Sequence, residues 1–140
     1  MKTEWEMVLD CKNYFEKKNI YQKVACEIPF LSRCIDMVLI DNQNEVITIE
    51  FKLTKWRDAI LQAYDHMRGA DYAYVCMPER NPSEELINQL NSRGIGLLLY
   101  NESAEEDEKV RVFLEAPRST RRVRAFSDNL IHTVDLCCVQ

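Results

Sequence analysis

The first residues of the chain carry apolar side chains at helical spacing. Trp5, Val8, Leu9, Cys11 and Phe15 follow Thr3 and Glu6, whose separation is that of a capping box. A helix is predicted over 4–18, ending near Asn19, with Trp5 on its core stripe. From 20 to 30 the pattern changes to alternation: Ile20, Gln22, Val24, Cys26 and Ile28 against Tyr21, Lys23, Ala25 and Glu27. That is a strand, which Pro29 ends or kinks. The stretch 33–40 is almost wholly apolar except for Asp36, and 45–53 is rich in β-branched residues. The turn residues Asp41 to Asn44 lie between them, so the two runs read as a hairpin.

Further along, Thr54 is placed to cap a helix over 55–68, with Trp56, Ala59, Ile60, Ala63 and Met67 inward and Gly69 as its stop. A strand over 72–77 follows. Asn81 and Glu84 form a second capping box, with Pro82 at the first helical position of a helix that runs to Arg93 and stops at Gly94. Strands at 95–100 and 110–115 and a terminal helix over 118–136 complete the pattern. The order α-β-β-β-α-β-α-β-β-α predicts an α/β domain with a central mixed β-sheet flanked by helices.

Composition narrows the class. The chain has 140 residues, 46% of them hydrophobic and 29% charged, as expected of one soluble globular domain with a core of its own. The start of the chain lacks the apolar run of a secretion signal, and no segment is apolar enough to span a membrane, so a cytoplasmic protein is expected. Cys11, Cys26, Cys34, Cys76, Cys137 and Cys138 form no CxxC pair; packing accounts for them better than disulfides or zinc. The net charge of −5 argues against a general nucleic-acid binder. It leaves open local contact with phosphate, directly or through a metal ion. Five acids crowd into 102–108, which reads as a solvated loop, and four arginines into 118–124.

The chemistry gathers on the hairpin. Folded about Gln43, its paired positions sum to 86, which sets Asp36 opposite Glu50 with Cβ atoms about 5 Å apart. Glu50 and Lys52 are two apart and share a face. Two carboxylates this close repel and require positive charge. Lys52 supplies it in a plain buried salt bridge; a divalent cation supplies it in a functional site.

These residues resemble the PD-(D/E)XK nuclease superfamily, the restriction-endonuclease-like fold. The matching pieces are Arg33-Cys34-Ile35-Asp36, Ile49-Glu50-Phe51-Lys52, a helix with Gln62, and the strand from Ala70 to Val75. The resemblance implies an αβββαβ core over about 4–77 and an extension over about 78–140, together one domain over 1–140. It implies Mg²⁺, with Mn²⁺ as a substitute, held by Asp36, Glu50 and the backbone carbonyl of Phe51. Lys52 would orient the attacking water and Gln62 would complete the site. An acid on the first helix, Glu4 or Glu6, is a further member, and Glu27 is another, unless it pairs with Lys23. Ile35 stands in place of the motif's proline. His66 stands where one branch carries tyrosine; it reads equally as a contact to substrate or carboxylate and as an ordinary exposed helix residue.

The function implied is a metal-dependent nuclease that hydrolyses DNA phosphodiester bonds, as a homodimer or beside a partner subunit. The alternative is a non-cleaving nucleic-acid-binding or protein-interaction module of the same fold. Lys55, Arg57, Arg68, Arg121, Arg122 and Arg124 are the candidates for phosphate contact. Each also reads as an ordinary solvated cation.

Overall fold

The structure is a computed structural model that describes residues 2–138. Its elements are α1 (Glu4–Lys18), β1 (Tyr21–Phe30), β2 (Arg33–Asp41), β3 (Val46–Phe51), α2 (Trp56–His66), β4 (Tyr72–Pro78), α3 (Glu84–Arg93), β5 (Gly96–Tyr100), β6 (Val110–Leu114) and α4 (Arg124–Cys137). The strands form one six-stranded sheet in sequential order. β3, β4 and β5 run parallel, and the remaining neighbours are antiparallel. The sheet is therefore mixed, and α1-β1-β2-β3-α2-β4 is the αβββαβ order expected from the sequence.

Side-chain alternation on the strands fills both faces. Met37, Leu39, Ile49, Phe51 and Cys76 pack beneath α1 through Met7, Val8, Cys11 and Phe15. Ala73, Val75, Leu97 and Leu99 meet α2 and α3, while Val38, Ile40 and Val46 meet Leu130 and Val134 of α4. One helix covers one face and three cover the other.

The ends of the elements explain where sequence and structure part. Thr3 and Glu6 make the capping box, and Asn19 closes α1 in the left-handed region. Trp5, expected in the core, is 47% exposed, because α1 turns Met7 and Tyr14 inward and these lie roughly opposite Trp5 around the helix. Thr54 does not cap α2. The N-cap position is Lys55, without a side-chain hydrogen bond, and the helix ends at His66, before Met67 and Gly69. Ser83, not Asn81, caps α3, so Pro82 lies outside the helix. Pro29 stays in β1, opposite Cys34. As an edge strand, β1 tolerates a residue without an N–H.

The terminal helix starts at Arg124, six residues later than expected. The preceding segment is held in another way. Ser119 N–H donates to the Asp71 carbonyl (2.7 Å) and Val123 N–H to the Arg68 carbonyl (2.8 Å). Arg118 and Arg122 both reach the Asp71 carboxylate, at 3.4 and 3.2 Å. These bonds tie the chain to the start of β4. The acidic run is a loop with one short 3₁₀ turn, Glu106–Glu108.

Candidate active site

The β2–β3 ladder pairs Met37 with Ile49, Val38 with Thr48, Leu39 with Ile47 and Ile40 with Val46, the register in which Asp36 stands opposite Glu50. Ordinary ladder pairing stops one step short of these two residues. Their carboxylates take over: Asp36 N–H donates to Glu50 Oε2 (2.9 Å), and Phe51 N–H donates to Asp36 Oδ2 (2.8 Å).

Asp36 also interrupts the pairing with β1. Cys26 pairs with Met37 and Ile28 with Ile35, yet Glu27 and Asp36 between them do not pair. Glu27 has φ +53°, in the left-handed region. Ala25 and Ile28 nevertheless face the same core cluster, as do Ile35 and Val38. Alternation thus slips on both strands at one point. This brings a half-buried Asp36 out of an otherwise apolar strand, a departure that no count of apolar residues reveals.

Glu50 is 2% exposed and its side chain lies within hydrogen-bonding reach of Asp36. Burial, then the charge of Asp36, pushes its pKa up to about 8. Asp36 is raised too, by burial first, against the Phe51 N–H, which lowers it; Glu4 and Glu27 raise it further. Glu4 is the N-terminal acid that reaches the site, accepting a bond from Leu53 N–H (3.3 Å). Glu6 is occupied by the backbone N–H of Thr3 at 2.9 Å. Lys23 and Glu27 form no ion pair among the described residues, so the pairing considered for them is absent.

Lys52 continues β3 past its last paired residue, with its N–H donating to the Cys76 carbonyl (3.1 Å). Its side chain borders a cavity of about 580 Å³ shared with Arg33, Gln62, Tyr64, Asp65 and Arg121. Gln62, on α2, thus borders the same cavity as Lys52. Arg33 and Tyr64 are members that sequence reasoning missed. Arg33 was legible as the start of the Arg33–Asp36 strand; Tyr64 gave no signal of its own.

His66 is buried, not exposed: it is 1% exposed and lies on the inward stripe of α2 with Ala59, Ile60 and Ala63. Nδ1 is 3.9 Å from Glu50 Oε2, and neither ring nitrogen has a hydrogen-bond partner. Burial lowers its pKa to about 4. Its place one turn after Gln62 and three residues after Ala63 was the signal for burial.

The expected phosphate contacts separate into groups. Arg121 lines the cavity, its guanidinium 3.9 Å from the Tyr64 ring centroid and donating to the Tyr64 carbonyl at 2.6 Å. Arg57 pairs with Glu85 and lies over Trp56. Arg68, in the turn just after α2, pairs with Asp65 in its last turn. Lys55 is exposed at the start of α2. Arg122 is not brought to the cavity: it binds Asp71, whose other oxygen accepts from Val46 N–H at the far end of β3. Arg124 is exposed and 3.8 Å from Asp128.

Chemically, the arrangement is a pair of carboxyl groups starved of positive charge, beside a lysine and an open, polar cavity. Among the described residues no three His, Cys, Asp or Glu side chains stand together as a ready-made metal cage. No helix among the described residues is long and apolar enough to cross a membrane.

The chain matches no family model, and no curated protein matches it. Several solved structures are similar in shape. A protein of unknown function from Silicibacter pomeroyi superimposes with a TM-score of 0.71 at 13% identity, over 98% of this chain and 86% of that one. A repair endonuclease from Pyrococcus abyssi gives a TM-score of 0.47 at 14% identity, over 69% of this chain and 46% of that one. SfsA from Pyrococcus furiosus, solved in complex with Ca²⁺, gives 0.43 at 12% identity, over 78% and 60%. At such identities the first likeness is one of fold: this chain shares its α/β architecture with the Silicibacter pomeroyi protein.

Proposed function

We propose that this chain is a divalent-metal-dependent nuclease of the PD-(D/E)XK kind, hydrolysing phosphodiester bonds in nucleic acid, with DNA as the first substrate to test. The observation that carries the reading is the Asp36–Glu50 pair. Two carboxyl groups are held together across splayed strands, and Glu50 is proton-loaded to about pH 8 because burial and Asp36 penalise its charge. Such pairs mark places where a cation replaces the proton.

The residues fit the metal. Asp36, Glu50 and the Phe51 carbonyl offer hard oxygen donors and no sulfur, which suits Mg²⁺ or Mn²⁺ completed by water. A cation held by these three donors would complete its shell with water. When bound, the metal would polarise the phosphate and neutralise the charge that develops on it. Lys52, two residues after Glu50, would orient the attacking water and stabilise the same charge. Gln62 would hold that water or the phosphate from α2. Arg33 and Arg121 would hold flanking phosphates within the cavity, which lets an acidic chain engage a polyanion locally.

The test is purified protein with Mn²⁺ against linear, nicked, branched and single-stranded DNA and RNA, with Glu50→Ala and Lys52→Ala alongside. Cleavage should fall by about a hundredfold or more in each variant while circular dichroism is unchanged. Wild-type rates in either variant would sink the assignment. Metal binding without cleavage of any substrate would favour the non-cleaving module.

A further inference from the structure

His66 holds a place that packing alone does not explain. It is 1% exposed, yet both ring nitrogens lack a partner. Buried polar groups are rarely left so, because each costs the desolvation of a donor or acceptor. The ring edge meets Phe30, with centroids 6.2 Å apart, and Nδ1 lies 3.9 Å from Glu50 Oε2. Enclosed between an aromatic ring and a carboxylate, the imidazole has Glu50 as a polar neighbour almost within reach.

We infer that His66 is a positioning residue for Glu50: Nδ1–H closes onto Oε2 and fixes that carboxylate for the cation. This rests on the reading above that Glu50 is a metal ligand. The closure needs a shift of about 1 Å, from 3.9 Å to an ordinary hydrogen bond of about 3 Å. Oε2 already accepts from Asp36 N–H. With a second donor on the same oxygen, Oε2 would be satisfied from two sides, leaving Oε1 as the oxygen that would be available to a cation. Partners behind a metal-bound carboxylate set its orientation and commonly change metal affinity by about 10- to 100-fold.

The experiment compares wild type, His66→Phe and His66→Asn by calorimetric titration with Mn²⁺. Phenylalanine keeps the ring and removes the donor; asparagine places an amide N–H close to where Nδ1 stands. Phenylalanine should weaken Mn²⁺ binding by about 10- to 100-fold, and asparagine should restore most of it. A wild-type Kd in His66→Phe overturns the inference. So does a Co²⁺ absorption band in the wild type that both variants lose, because the imidazole would then be a direct ligand. A metal-free arm stands apart from the nuclease reading. The Tm shifts of His66→Phe and Glu50→Gln should be non-additive, as for groups in contact. Additive shifts overturn the pairing whatever the metal does. If wild type binds no cation while the shifts stay non-additive, the nuclease reading falls and the pairing of His66 with Glu50 stands.

Discussion

A carboxylate under a helix and an imidazole beside it make opposite demands on pH. Glu50 is raised to about 8 from an ordinary 4.5, so the folded chain holds a proton that the unfolded chain releases. Its contribution to stability is lost as pH rises across that window. His66 is lowered to about 4 from 6.5, so its contribution is lost as pH falls from 6.5 toward 4. The two slopes oppose each other up to about 6.5, and above that Glu50 acts alone. Metal-free protein should therefore lose Tm between about pH 6.5 and 8. Glu50→Gln should flatten that fall by removing the titrating group, and saturating Mn²⁺ should remove it in the wild type by stabilising the ionised pair. Calorimetric scans across pH check all three. A fall that persists in Glu50→Gln would assign it to another group. The motif, the register and the partnership of Asp36 with Glu50 were all legible in the sequence. The burial of His66 was signalled only by its spacing from Ala63 on α2, and the absence of a Lys23–Glu27 pair was not legible at all, because β1 slips between Ala25 and Ile28.

Elements were legible wherever a local signal fixed them. Thr3 with Glu6 set the start of α1, and Gly94 at φ +72° set the end of α3. Boundaries failed where tertiary bonds outweighed propensity. α4 could not begin at Arg118 because Asp71 holds Arg118 and Arg122 against β4. Gly96 shows the same limit. Nothing in its neighbourhood marks it as special, yet a Cβ there would strike the Tyr74 ring across the β4–β5 pair and come within 2.7 Å of the Ala116 backbone nitrogen. Tyr74 cannot swing away freely, because its hydroxyl bonds Glu115 and the Ala116 N–H. Gly96→Ala should cost about 1–3 kcal/mol in urea unfolding and leave Mn²⁺ affinity unchanged, since β5 does not touch Asp36 or Glu50. Neutral unfolding would mean that β6 and the segment after it yield easily.

At the scale of the whole molecule, the sequence showed that the chain carries a cluster of cations, but not where they point. The cluster at 118–124 looked like one basic patch; the fold divides it. Arg121 turns into the cavity beside Lys52 and Gln62, while Arg122 turns to Asp71 at the opposite end of β3. Six residue steps along and just past β3 separate Val46 from Lys52, about 20 Å at 3.3 Å per residue. One phosphate cannot engage both arginines. The two should therefore fail in different ways. Arg121→Gln should flatten the slope of log affinity against log salt by about 0.9 for duplex DNA, one phosphate contact. Arg122→Gln should leave the slope alone and lower Tm, because Asp71 is 6% exposed and loses a charged partner. Ca²⁺-supported binding across a salt series, with melting curves on the same samples, separates the outcomes. If Arg122→Gln alone changed the slope, DNA would lie along the start of β3 and β4, and the cavity beside Lys52 would not be where the strand is held.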